Sequence, residues 1–136
     1  MVNTGGAQRV AARFQGGVTL AGYRWQAESG AIVLRLHWVT DAALDADYTV
    51  FVHLVPPGGD GAPLSQGDAP PMDGRWPTYL WLPGVVLSDL HRVPLPADVA
   101  PGEYDLLVGL YDPNTGTRLP LVTGGDAVRI PDIPIQ

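Results

Sequence analysis

A strict alternation of apolar and polar residues constrains the fold of this chain more than any other feature of its sequence. In residues 31–40 one face of the alternation reads Ile, Leu, Leu and Trp, and in residues 47–55 it reads Tyr, Val, Val and Leu. Residues 103–111 follow the same period, with Tyr, Leu, Val and Leu on one face. Successive side chains of a β-strand point to opposite sides of a sheet, so each segment predicts a strand with one face on a core.

Short turns separate these segments from several weaker strands. Seventeen glycines and fourteen prolines interrupt the 136 residues at short intervals, as turns between strands require. A change of apolar phase within residues 85–95 predicts a bulge there, and residues 41–47 are the best helix candidate, of one or two turns at most. The predicted strands are 8–14, 18–26, 31–40, 47–55, 85–95, 103–111, 117–122 and 127–130.

Seven to nine short strands predict an all-β fold. The expected architecture is a two-layer antiparallel β-sandwich, immunoglobulin-like, fibronectin-like or jelly-roll-like. The segment PGEY at 101–104 resembles the start of the penultimate strand of immunoglobulin-like domains, so Tyr104 is expected to hydrogen-bond back to upstream backbone. Residues 112–116, DPNTG, predict a hairpin turn and not a calcium loop, because Gly116 stands where an oxygen ligand is needed.

The composition bounds the domain count and the partners. A single domain spanning 1–136, with its core at about 8–131, fits the length. The net charge is −6 and all eight basic residues are arginine. With no basic stripe evident, nucleic acid and anionic membrane surfaces are not expected partners. The lack of cysteine excludes disulfides, thiolate chemistry and cysteine-based zinc sites.

The sequence also bears on membrane insertion and export. No apolar run approaches the roughly 20 residues that span a bilayer, so direct membrane insertion of this chain is not expected. Residues 1–17 lack the apolar core of a signal peptide. Either the protein is cytosolic or the chain is a piece excised from a larger protein, and its start and its last strand, RIPDIPIQ, favour the second alternative.

One connection, residues 56–84, is too long to be an ordinary turn, since loops of more than about 15 residues are uncommon in compact domains. It could lie over the second face of the 47–55 strand, its aromatic rings covering Phe51 and His53. Alternatively, its rings could stay exposed as a stacking platform for a sugar, with carboxylates and amides taking the hydroxyls. The candidate ligand-binding residues are Gln66, Asp68, Asp73, Trp76, Tyr79 and Trp81.

Metal binding has weaker support. We expect His37 and His53 to lie on matching faces of neighbouring strands, and Asp89 to share a face with His91. Histidine and aspartate can together bind zinc or another transition metal. No short ligand spacing supports such a site, so no metal and no cofactor is predicted.

Catalysis is likewise not predicted. Glycoside hydrolysis needs two acids that face one cleft, and Asp68, Asp73 and Asp89 are the candidates for that role. Any acidic chain offers such sets of acids. The three serines are not in a nucleophile-elbow context, and the sequence has no glycine-rich phosphate loop. We therefore expect that the chain is not an enzyme.

Several motifs occur together along residues 14–130. They are FVHL at 51–54, Q-x-D at 66–68, P-T-x-x-W-x-P-G at 77–84, Asp89, and G-x-Y…GLYD…G-x-RLP at 102–120. In combination they resemble a β-sandwich domain of bacteria, found especially at the C-terminal end of membrane proteins similar to family 39 glycosyltransferases, the protein mannosyltransferase type. The same residues also have structural interpretations: Gln66 and Asp68 would tie down the backbone of the long loop, Trp81 would plug its underside, and Arg118 would pair with an acid on the neighbouring strand.

The resemblance implies an accessory, non-catalytic module that faces the outside of the cell as part of a larger protein. The catalytic machinery would lie in a membrane part, so no catalytic residue carries over. The leading hypothesis is an extracytoplasmic module that binds glycan or a sugar-bearing acceptor. The alternatives are a structural module that packs on its parent protein or its own copies, and a small hydrolase or metal-binding domain.

Overall fold

The computed structural model describes residues 4–59 and 61–136, in which eight β-strands form two four-stranded antiparallel sheets. The sheets have the strand orders β1-β2-β3-β6 and β5-β4-β7-β8, which confirms the predicted two-layer sandwich. The strands are β1 (Thr4–Arg13), β2 (Val18–Glu28), β3 (Ala31–Thr40), β4 (Thr49–Val55), β5 (Ser65–Gln66), β6 (Leu87–Pro94), β7 (Gly102–Tyr111) and β8 (Val128–Ile135).

The strand order can be compared with that of the expected kinds of sandwich. Strands β2, β3 and β6 lie opposite β5, β4, β7 and β8, as strands A, B and E lie opposite C′, C, F and G in immunoglobulin-like domains. Strand β1 extends the first sheet beside β2. The strand order of this sandwich is thus similar to that of immunoglobulin-like domains.

The core lies between the sheets and is built by the alternating residues. In β3, the side chains from Ile32 to Trp38 that share one face are all fully buried. The indole of Trp38 lies at their centre, with the Phe14 ring 6.0 Å away and the Trp81 ring 6.2 Å away. The predicted core face of β3 is thus confirmed.

Two turn predictions are confirmed. The Tyr104 hydroxyl donates a hydrogen bond of 2.7 Å to the Ala100 carbonyl and closes the corner before β7. In the hairpin after β7, the Gly116 N–H donates to the Asp112 carbonyl at 2.7 Å. Gly116 has φ 74°, a left-handed conformation that glycine adopts at no steric cost.

Three local predictions are wrong. Residues 41–47 contain bends and no helix. Strand β6 keeps a regular register with β3 and has no bulge; its apolar phase changes because Asp89 and His91 occupy core-facing positions. Residues 117–122 form only isolated bridges, since this segment crosses from β7 of one sheet to β1 of the other.

That crossing segment makes backbone hydrogen bonds to both sheets. The Leu119 N–H donates to the Leu110 carbonyl of β7 at 2.8 Å, and the Val122 N–H donates to the Arg13 carbonyl of β1 at 2.9 Å.

No helix among the described residues is long and apolar enough to cross a membrane.

Candidate binding site on the long loop

The first part of the long loop adds a strand to a sheet. Gln66 pairs with His53 of β4 as part of β5, and the Gln66 residue is exposed. The Asp68 carboxylate accepts a hydrogen bond of 3.0 Å from the Val52 N–H and lies 3.5 Å from the His53 ring nitrogen. Gln66 and Asp68 therefore tie the loop to β4, as their structural interpretation predicted.

The second part of the loop crosses the open side of the sandwich and inserts Trp81 between the sheets. Trp81 is only 2% exposed, and its indole N–H donates to the Trp76 carbonyl at 2.8 Å. The predicted plug is confirmed, and the same burial makes this ring inaccessible to a ligand.

The aromatic residues of the loop do not cover the second face of β4, so that expectation is wrong. The Phe51 ring there is 1% exposed, but its cover comes from other parts of the chain. The guanidinium carbon of Arg118 lies 4.2 Å from the ring centroid, and the rings of His53 and Tyr111 lie 5.0 and 6.5 Å away. Arg118 also forms an ion pair, with Asp126 at 3.3 Å, but this acid lies in the bend before β8 and not on a neighbouring strand as predicted.

A buried pair, Asp89 and His91, supports the loop from below. Both side chains are fully buried, and the His91 Nε2 lies 2.5 Å from the Asp89 carboxylate. The other nitrogen, Nδ1, lies 2.9 Å from the Gly67 carbonyl. A carbonyl oxygen can only accept, so Nδ1 carries a proton. A second proton then lies between Nε2 and the carboxylate, and an imidazolium–carboxylate pair satisfies both contacts.

The proton balance of His91 follows from its neighbours. Burial by itself lowers the pKa of the imidazole. The hydrogen bond and negative charge of Asp89 outweigh this effect, and the Gly67 carbonyl adds to them, so the pKa of His91 lies above its ordinary value. The charged form is therefore the one that this environment favours.

The same carboxylate holds a strained turn. Asp89 accepts hydrogen bonds from the Trp38 indole N–H at 3.3 Å and from the Met72 backbone N–H at 2.8 Å. Met72 and Asp73 have φ values of 52° and 56°, a left-handed conformation that costs non-glycine residues about 1–3 kcal/mol each. The buried pair thus fixes the loop at two points, Gly67 and the strained turn.

From this turn onward the loop presents three of the predicted ligand-binding residues to solvent. Trp76 is 42% exposed and Tyr79 is 55% exposed. Asp73 is exposed too, and its carboxylate makes no hydrogen bond or ion pair with the described part of the chain. We call Asp73, Arg75, Trp76 and Tyr79 the platform.

The backbone around the platform is held by buried hydrogen bonds. The fully buried Thr78 hydroxyl donates to the Ala46 carbonyl at 2.7 Å and accepts from the Tyr48 N–H at 2.8 Å. The strained turn at Pro71–Gly74 and a short 3₁₀ turn at Thr78–Leu80 lie on either side of Trp76 in the sequence. The backbone that carries the platform is therefore held in place without a ligand.

The six sequence candidates thus divide into three groups. Gln66 and Asp68 belong to the sheet edge, Trp81 belongs to the core, and the remaining three belong to the platform. Neither the supporting role of Thr78 nor the burial of the Asp89–His91 pair was evident from the sequence. The phase change in β6 was the one available signal, and it marks polar residues in core-facing positions.

The structure separates the metal candidates. His37 lies in β3 and His53 in β4, which belong to different sheets, so the expectation that they occupy neighbouring strands is wrong. Asp89 and His91 do share a face of β6, as predicted, but both side chains are fully buried and bonded to each other, and His91 is also bonded to the Gly67 carbonyl. Within residues 4–59 and 61–136, no cluster of three or more His, Cys, Asp and Glu residues could hold a metal ion.

The three acids considered for hydrolysis do not face one cleft. Asp89 is fully buried, the Asp68 side chain is 22% exposed and bonded to β4, and Asp73 lies on the surface.

No family model, no curated protein and no solved structure matches this chain. The motif resemblance to domains of family 39 glycosyltransferase-like proteins therefore stays a prediction from the sequence.

Proposed function

We propose that this chain is a non-catalytic module that binds carbohydrate through the platform, as an extracytoplasmic accessory to a larger protein. The observation that carries the proposal is the exposure of Trp76 and Tyr79, at 42% and 55%, on a loop whose backbone is pinned by buried groups. Exposed aromatic side chains normally gain stability by burial, so a rigid loop that keeps two of them in water favours a binding role.

The chemistry of the platform suits a sugar. The face of an aromatic ring packs on the apolar C–H side of a sugar ring. The Asp73 carboxylate accepts hydrogen bonds from hydroxyls, and the Arg75 guanidinium donates to them. Because the loop is already ordered, binding loses little conformational entropy. The motif resemblance adds support for an accessory role beside a glycosyltransferase of the membrane.

One observation favours a second function, docking on a parent protein or on another copy of the chain. Leu80, Leu82, Val85 and Val86 follow the platform and are 48%, 62%, 43% and 59% exposed. Contiguous exposed apolar residues mark interaction surfaces more often than scattered ones do. This surface would bury apolar area against protein and would need no sugar.

Tryptophan fluorescence with a panel of neutral oligosaccharides tests the first function. We expect one or more sugars to shift the emission and to protect it from an aqueous quencher. Trp76→Ala and Tyr79→Ala should abolish binding, whereas Val122→Ala, at an exposed apolar position outside the loop, should leave it unchanged. If no sugar binds and Leu82→Ser lowers the mass of a self-associated species in ultracentrifugation, the second function replaces the first.

A further inference from the structure

The sheet formed by β1, β2, β3 and β6 contains five of the eight arginines. One of them, Arg13, pairs with Asp41, and the other four form a diagonal row on the outer face. Arg24 and Arg35 are direct partners in the β2–β3 ladder, and Arg9 and Arg92 lie on the flanking strands β1 and β6. These four strands contain only two acids, of which Asp89 is buried in the core. An acidic chain therefore carries a locally basic face, which we call the arginine stripe (Arg9, Arg24, Arg35 and Arg92).

The strand register sets the spacing of the stripe. Arg9 pairs with Gly22, which lies two residues before Arg24 in β2. Arg35 pairs with Leu90, which lies two residues before Arg92 in β6. Strands lie about 4.8 Å apart and two residues span about 6.8 Å. The α-carbons of consecutive arginines are thus separated by about 8, 5 and 8 Å, and the stripe runs diagonally over about 20 Å.

The charges of the stripe are poorly compensated within the chain. Arg24 and Arg35 stand directly opposite each other, an arrangement that destabilises a sheet. Arg35 donates only to the Ser88 hydroxyl, at 2.8 Å. Arg92 forms an exposed ion pair with Glu28 at 2.9 Å. Among the described residues, the Arg9 and Arg24 side chains have no hydrogen-bond or ion-pair partner.

The surface between the arginines also carries neutral polar groups. A shallow depression of about 230 Å³ lies against Arg24 and Arg35; Gln26 and Leu90 contribute to its walls, and so does the acidic Glu28, which pairs with Arg92. Amides and hydroxyls such as those of Gln26 and Ser88 both donate and accept hydrogen bonds. A ligand that carries hydroxyls between widely spaced negative charges would match this pattern.

We propose that the arginine stripe binds a linear acidic polysaccharide. Its carboxylates would accept hydrogen bonds from the guanidinium groups, which match carboxylate geometry in bidentate fashion. A sparse polyanion fits better than nucleic acid, because double-stranded DNA carries one charge per about 1.7 Å and the chain has a net charge of −6. This site is separate from the platform and does not depend on it.

Titration calorimetry with oligogalacturonate at low ionic strength tests this proposal, since the Debye length near 0.01 M salt is about 30 Å. We expect binding that weakens as salt is added. Arg24→Gln and Arg35→Gln should each weaken it about tenfold or more, as loss of a charge-assisted hydrogen bond does. The matched control is Arg13→Gln, because Arg13 is an exposed arginine of the same sheet that pairs with Asp41 outside the stripe. It should change the affinity less than about twofold.

Further variants distinguish binding at the stripe from binding at the platform and from a general charge effect. Trp76→Ala should leave oligogalacturonate binding intact, so the stripe and the platform can fail independently. Arg24→Gln should not lower the melting temperature, because it relieves the repulsion from Arg35. The proposal is overturned if oligogalacturonate does not bind at low ionic strength, or if Arg13→Gln weakens binding as much as Arg24→Gln. Tighter binding of polyglutamate or duplex DNA would also overturn it.

Discussion

The buried Asp89–His91 pair supports a quantitative prediction about stability. His91→Leu keeps a side chain of similar size but leaves the Asp89 carboxylate with one partner fewer, in a fully buried position. The Gly67 carbonyl loses its donor in the same change. Removing one member of a buried ion pair typically costs about 3–5 kcal/mol, a large part of the 5–15 kcal/mol that stabilises a typical domain.

Thermal and urea denaturation, followed by circular dichroism, measure this cost. For a domain of this size, about 3–5 kcal/mol corresponds to a fall in melting temperature of roughly 10–20 °C. The control His37→Leu changes a half-buried histidine on the outer face of β3 and should alter the free energy of unfolding by less than about 0.5 kcal/mol. A loss below about 1 kcal/mol for His91→Leu would refute the assignment of a buried charged pair.

The same pair predicts a pH dependence with a defined sign. The pKa of His91 is raised in the folded state, whereas an unfolded histidine titrates near about 6.5. Its contribution to stability is therefore complete below pH of about 6.5 and is lost as the pH rises through the folded-state pKa. The wild-type free energy of unfolding should fall as the pH rises from the unfolded to the folded pKa of His91, and His91→Leu should flatten that part of the profile. An unchanged profile would contradict the charged state of His91.

Two further substitutions test other parts of the structure. Trp81→Ala removes a ring that is 2% exposed and should cost about 3–5 kcal/mol in urea denaturation; Trp76→Ala is the control, and equal losses in both would contradict the plug. Tyr104→Phe removes the hydroxyl bonded to the Ala100 carbonyl and should cost about 1 kcal/mol. Tyr79→Phe should be neutral, and no change in melting for Tyr104→Phe would show that the corner contributes nothing.

Much of the sandwich could be predicted because its central strands have one buried face each. The alternation in β3 reports directly which residues enter the core. In β6 the same reasoning failed because Asp89 and His91 occupy core-facing positions. They are stabilised there by each other and by backbone groups of the long loop at Gly67 and Met72. A buried polar residue can be identified only when its partners are known.

The candidate sites were harder to predict. The loop sequence supplies three aromatic residues in a short stretch, and nothing local distinguishes the ring of Trp81, which enters the core, from the exposed ring of Trp76. The arginine stripe was missed for a different reason. Its members come from four separate strands, and each is unremarkable alone. Only the strand register places Arg24 opposite Arg35, so the sequence analysis found no basic stripe.

The segment that crosses from β7 to β1 has a consequence for how the domain unfolds. Leu119 is hydrogen-bonded to one sheet and Val122 to the other, only three residues further along the chain. The segment thus connects β7 of one sheet to β1 of the other through backbone hydrogen bonds only three residues apart. Partial unfolding of one layer is thereby coupled to the other, and the two layers are expected to melt as a single cooperative unit.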